Sequence, residues 1–157
     1  MDKKLIVQQN TEEMRRIKYG AFPMSFNGCE IIAVYNALVM SGVKCDLQEL
    51  IDCFKKKHLM LLWGLFGSYV FGLHKVLQGY GIRAERVKLC DIKDDGLYIV
   101  SFWNRRPPWH GIHTVLTQVQ GGKHITYNLY SNRGVEPLSP GEYVGGRYIV
   151  GYKIGHK

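Results

Sequence analysis

Three side chains of this chain have the types and order that nucleophilic acyl transfer requires: Cys29, His113 and Asn128. In that chemistry a thiolate attacks a carbonyl, an imidazole shares the thiol proton and later gives it to the leaving amine, and a third group orients the ring. Cys29 stands apart from Cys45, Cys53 and Cys90 because Asn27-Gly28 marks a sharp turn before it and helical spacing follows it. The unsatisfied N–H groups and positive dipole end of a helix start are expected to lower its thiol pKa. The competing reading of Cys29 is the commonest state of a free cysteine, a small buried apolar side chain. There is no CxxC pair, and four cysteines in 157 residues do not imply a disulfide scaffold, so reduced thiols are expected.

Among six histidines, His113 is best placed. It opens the β-branched run Thr114-Val115-Leu116-Thr117, and alternation puts it on the side of Val115, Thr117 and Val119. His110 precedes it by three residues, but His-x-x-His without a third ligand does not make a metal site, so no metal and no cofactor are expected. His110 is instead expected near the cleft with Trp103 and Trp109. Asn128 interrupts the apolar run Ile125 to Tyr130 with an amide, and a hairpin at Gly121-Gly122 would return it near the level of His113. Asn132 is the rival, in a Ser-Asn-Arg-Gly stretch that reads as an Asx-turn.

These residues need elements to hold them. Cys29, Ile32, Ala33, Asn36 and Met40 predict a helix ending before Ser41-Gly42. Asp46 with Glu49 predicts a capped second helix that buries Leu47, Leu50, Ile51 and Phe54. A third helix is predicted from about Ser68 to Gln78. Upstream, the signals are a short strand at Leu5 to Val7 and a helical turn over Asn10 to Arg16 with Asn10 and Glu13 at capping-box spacing. From about residue 84 the pattern turns to strands: Ala84 to Lys88, Tyr98 to Trp103, His113 to Gln120, His124 to Tyr130 and Arg147 to Ile154. Arg105-Arg106-Pro107-Pro108-Trp109 reads as a rigid loop and Pro140-Gly141 as a turn. Helices first and a largely antiparallel sheet second is an α+β plan.

Composition sets the outer bounds. With 46% hydrophobic and 22% charged residues, the chain fits one domain over residues 1–157. The net charge of +8 favours anionic partners, yet the basic residues are scattered, with Lys55 to Lys57 the densest run, so no nucleic-acid partner is expected. The longest apolar stretch, Leu59 to Phe66, is too short to span a bilayer. Three apolar residues after the basic start are too few for a secretory signal. A cytoplasmic protein is expected, although a signal peptide already removed would leave no trace. No phosphate-cradling glycine loop, GxSxG elbow, HExxH or calcium loop is present.

In this order and setting the segments resemble the C39-like branch of the papain-like cysteine peptidases. Phe26-Asn27-Gly28-Cys29-Glu30, with the helix to Met40 and Ser41-Gly42, is similar to that family's nucleophile segment, in which Gly-Cys-Glu opens a long helix. Asp46 to Lys57 resembles its second helix, Trp63-Gly64 through Tyr80-Gly81-Ile82 its glycine-containing loop and following helix, and Leu97 to Trp103 the strand before the histidine. His113-Thr114-Val115 is similar to its histidine strand, and Tyr127-Asn128 occupies the place where the family usually carries Asp, commonly followed by Pro. The likeness spans roughly residues 21–130. The 84 residues from Cys29 to His113, against roughly 130 or more in larger papain-type enzymes, imply a compact member.

The resemblance implies a papain-like fold, with an N-terminal helical part on the sheet and a peptide or small amide as substrate. It also implies hydrolysis through a thioester, with Cys29 attacking, His113 moving the proton and Asn128 orienting the ring. One departure stands out. The family usually has a Gln several residues before the nucleophile to help hold the oxyanion, where this chain has Ala21-Phe22-Pro23-Met24-Ser25-Phe26. The Cys29 N–H remains as one donor, with Asn27 or Ser25 as a second, or Gln8 or Gln9 folding back. Losing a donor costs on the order of 100- to 1000-fold in rate. Two other functions therefore stay open: a thiol acyltransferase, and a catalytically weak domain that binds a peptide or partner.

Overall fold

The computed structural model describes residues 4–104 and 111–155. Trp109, His110 and the Arg105 to Trp109 loop lie outside the described residues. The chain opens with α1 (Glu12–Arg16), β1 (Lys18–Tyr19), β2 (Phe22–Pro23), α2 (Met24–Asn27), α3 (Cys29–Met40) and α4 (Leu47–Lys56). Two 3₁₀ turns, Leu62–Gly64 and Val70–Gly72, then lead into α5 (Leu73–Gly79). The rest is β3 (Arg83–Val87), β4 (Gly96–Trp103), β5 (Ile112–Gln120), β6 (Lys123–Tyr127), α6 (Pro140–Val144) and β7 (Tyr148–Gly155). The large sheet is antiparallel throughout, in the order β3-β7-β4-β5-β6. The architecture is α+β, with helices grouped ahead of an antiparallel sheet.

α3 is apolar nearly all round, and Cys29, Ile31, Ile32, Val34, Ala37 and Leu38 are all buried, as befits a helix enclosed by the rest of the domain. It packs on the sheet face carrying Ile99, Leu116 and Tyr152, while Leu50, Ile51 and Phe54 of the amphipathic α4 close the same core. The opposite face, with Tyr98, Val100, Phe102, Val115 and Val119, is covered by Tyr143 and Val144 of α6. The α4 boundary is fixed by Asp46, whose carboxylate accepts from the N–H groups of Gln48 and Glu49, as its spacing from Glu49 predicts. Between β5 and β6, Gly121 and Gly122 both take positive φ, 57° and 75°, the combination a two-residue type I′ hairpin needs.

Several expectations are corrected. The first helix is capped by Thr11, which accepts from Met14 N–H, while the Asn10 amide oxygen takes two bonds from Arg15. Leu5 to Val7 is not a strand; Ile6 instead exchanges main-chain hydrogen bonds with the buried Asn36 side chain. The third helix begins only at Leu73, because Tyr69 is extended and Ser68 bridges to Met60. Pro140-Gly141 is not a plain turn but the first turn of α6, where Ser139 and Glu142 form a capping box. β6 stops at Tyr127 because Asn128 turns into the left-handed region at φ 59°.

Candidate active site

Gly28 ends α2 and starts α3, so Cys29 occupies the first turn of the central helix. Alternation along β5 sends Ile112 and Thr114 toward α3 and His113 toward the α6 side, where its ring meets Phe102 edge-on at 5.7 Å. α3 reaches β5 at this end of the sheet, and the Cys29 Sγ lies 3.9 Å from the carbonyl oxygen of Ile112, the residue before His113. Cys29 and His113 line one cavity of about 780 Å³. Ser25, Asn27 and Trp103, all singled out by the sequence, line it too.

The Cys29 thiol is 6% exposed and donates to Glu30 Oε2 at 3.2 Å. Burial pushes its pKa well up, the Glu30 charge pushes the same way, and the Thr114 backbone N–H opposes them. The expected lowering of the thiol pKa by the helix start is thereby reversed: desolvation and an adjacent carboxylate outweigh a partial dipole charge. Glu30 itself is 1% exposed. Burial raises it to about 7, against the bonds it receives from its own N–H, from the thiol and from the Ser68 N–H. Gly67 presses against this carboxyl group, since a Cβ there would sit 3.0 Å from Glu30 Oε2, and its φ of +65° is one that side chains rarely adopt.

His113 Nε2 lies 2.8 Å from the backbone carbonyl oxygen of Asn128. A carbonyl only accepts, so Nε2 carries the proton and Nδ1 is the basic nitrogen of the neutral ring. The contact depends on the left-handed turn at Asn128, a conformation that Asn tolerates better than most residues. The β5–β6 register, Leu116 opposite Tyr127, would otherwise set Asn128 across from Val115. The Asn128 side chain points elsewhere, its Nδ2 donating to Gln9 Oε1 at 3.3 Å. Asn132, in the turn after β6, has no described contact with the ring.

Gln9 is the residue whose place the sequence did not fix. It is buried, lines the cavity, accepts from Asn128 and donates through Nε2 to Met24 O at 3.0 Å. It thereby ties the Asn128 turn to the segment leading into Cys29. The two amide protons of Asn27 are taken by Tyr19 O at 2.8 Å and Gly64 O at 2.9 Å. Asn27 therefore clamps the β1–β2 hairpin and the Leu62–Gly64 turn around the cleft, with both of its side-chain amide protons engaged. Phe26, Leu65, Phe66 and Trp103 form an exposed apolar rim. Glu30 and Gln9 could have been found only weakly in the sequence: Glu30 as part of Gly-Cys-Glu, Gln9 as one of two glutamines far upstream.

No known sequence family matches the chain, and a comparison with curated proteins returned no match. The fold, however, is shared with solved structures. One is the crystal structure of a double glycine motif protease from an AMS/PCAT transporter in complex with the leader peptide. It aligns over 82% of this chain and 84% of that chain with a TM-score of 0.56 at 14% identity. At that identity the likeness is one of fold: this chain shares the architecture of that protease domain. Among the described residues no cluster of side chains suited to a metal is found, and no helix is long and apolar enough to cross a membrane.

Proposed function

We propose that the chain is a thiol-dependent hydrolase of peptide or amide bonds working through a thioester on Cys29. The observation that carries this reading is the cavity shared by Cys29 and His113, with His113 Nε2 pinned by the Asn128 carbonyl. The thiol enters as S–H. As its sulfur bonds to the substrate carbonyl carbon, the proton passes to His113 Nδ1 and the carbonyl oxygen becomes an oxyanion. Collapse breaks the C–N bond, and His113 returns the proton to the departing amine. Water then attacks the thioester with His113 as base, releasing the acid and restoring the thiol.

The Cys29 N–H, one of those that a helix start leaves without an intrahelical partner, is the first oxyanion donor. Gln9 is the second: its Nε2 has one proton beyond that given to Met24, and both ends of the amide are anchored. Ser25, half-buried on the wall, serves the rim. A second reading comes from the contact of the thiol with Glu30, which makes Glu30 the proton acceptor in place of His113. The leader peptide in the similar protease favours a peptide as substrate over a small amide.

The test is alkylation by iodoacetamide across a pH series with residue-level mass analysis, on the native protein, His113→Ala and Glu30→Gln. Selective labelling of Cys29 that falls at least tenfold in His113→Ala supports the hydrolase reading. Loss in Glu30→Gln alone moves the base to Glu30. Uniform slow labelling of all four cysteines overturns the activated thiol, and an added amine that captures the acyl group in preference to water makes the protein an acyltransferase.

A further inference from the structure

β4 and β7 run side by side beyond the cleft, and at their ends Arg147 is fastened by its neighbours. Its backbone carbonyl accepts from Trp103 N–H at 3.0 Å. Its guanidinium donates through Nη1 to Trp103 O and through Nη2 to Tyr143 O, the latter at 3.2 Å. The guanidinium carbon lies over the Phe102 ring, 5.7 Å from its centre. The same ring receives His113 edge-on, so the cation and the imidazole flank one aromatic side chain. Arg147, Trp103, Phe102, His113 and Cys29 all line the one cavity.

Carbonyl oxygens orient a guanidinium cation but do not neutralise it. Among the described residues Arg147 forms no ion pair, and its Nε is buried with no hydrogen-bond partner. Glu30, the one described carboxylate on the cavity wall, is occupied by the thiol and the Ser68 N–H. A cation held rigid on an aromatic face, with no counter-charge paired to it among the described residues, loses little side-chain freedom when an anion arrives and concentrates its field there.

The geometry points to Arg147 as a specificity-determining residue that selects a substrate carrying a carboxylate near the bond to be cut. This rests on the reading of Cys29 as the nucleophile, and adds the class of substrate to it. The carboxylate belongs either to an acidic side chain or to a peptide C-terminus, and both present the same planar anion to the guanidinium.

The probes are N-iodoacetyl derivatives of four amino acids: glutamate α-amide, glutamine α-amide, lysine α-amide, and glutamine with a free α-carboxylate. Each alkylates Cys29 with loss of iodide and of the thiol proton. Rates are compared within each variant, which cancels changes in thiol reactivity. In the native protein at low ionic strength, the glutamate probe or the free-carboxylate probe is expected to react about tenfold faster than the neutral one, and the lysine probe slower still. Whichever carboxylate wins identifies its source. Arg147→Gln brings that ratio to near one and Arg147→Lys keeps part of it. A native ratio at or below one, or a ratio unchanged in Arg147→Gln, overturns the inference. If Cys29 does not react even with iodoacetamide, the hydrolase reading fails on its own. Arg147 is then judged by titrating N-acetyl-glutamate α-amide and its glutamine counterpart against the Trp103 indole N–H resonance, where equal affinities overturn it and a carboxylate preference lost in Arg147→Gln sustains it.

Discussion

The thiol of Cys29 points at the carboxyl group of Glu30, 3.2 Å away, and both groups are buried. Burial opposes ionisation of the thiol, and a charged carboxylate beside it pushes the same way. With Glu30 raised to about 7, that charge is lost as the pH falls through neutrality. If His113 is the base, Glu30→Gln removes the charge at every pH while keeping the shape. Iodoacetamide labelling of Cys29 at pH 8 is then expected to accelerate by about tenfold. A slower variant means that Glu30 takes the proton.

Asn128 acts on His113 through its main chain, and substitutions can separate that from a side-chain role. Asn128→Gly retains both the carbonyl and the left-handed turn at φ 59°, which glycine adopts freely, and is expected to keep hydrolysis within about fivefold. Asn128→Val keeps a carbonyl but opposes the turn, at a cost of about 1–3 kcal/mol. It is expected to lose most activity and to lower the melting temperature. If the glycine variant is as inactive as the valine variant, the amide side chain orients the ring.

What was legible in the sequence was what local signals determine. Asp46 and the α4 stripe, the apolar run of α3, and Gly121-Gly122 each state their structure within a few residues. α6 was written in the Ser139-Pro140 start and Glu142 three residues past the cap, but five residues carry no periodicity to draw attention to it. Cys29 and His113 could be chosen because chain order and element type constrain them. The upward pKa of Cys29 could not, since the burial of Glu30 and the approach of Gly67 and Ser68 come from a loop nearly forty residues away in the chain. Gln9 and Arg147 reach the cleft from opposite ends of the chain, through contacts that no periodicity encodes.

The assignment of Gln9 as oxyanion donor separates from that of Ser25 by rate. Gln9→Glu preserves the length of the side chain but exchanges the donor amide for an acceptor, and is expected to lower kcat on the order of 100- to 1000-fold with KM little changed. Ser25→Ala is expected to stay within about threefold. A Gln9→Glu enzyme that loses KM and keeps kcat makes Gln9 a tie between Asn128 and Met24 only.

Glu30 also makes a prediction for folding. Its carboxyl pKa is raised from 4.5 to about 7 in the folded chain, so the folded state binds its proton more tightly than the unfolded state does. That contribution to stability is fully present below pH 4.5 and is lost as the pH rises through 7. The size is on the order of 3 kcal/mol between the two limits, at 1.36 kcal/mol per pKa unit. Urea unfolding of the native protein at pH 5 and pH 8, set against Glu30→Gln, isolates the effect from the other titrating groups. The native protein is expected to lose more stability over that interval than the variant does, and equal losses would show that the Glu30 carboxyl group is hydrated in solution and not sealed against Cys29, Gly67 and Ser68.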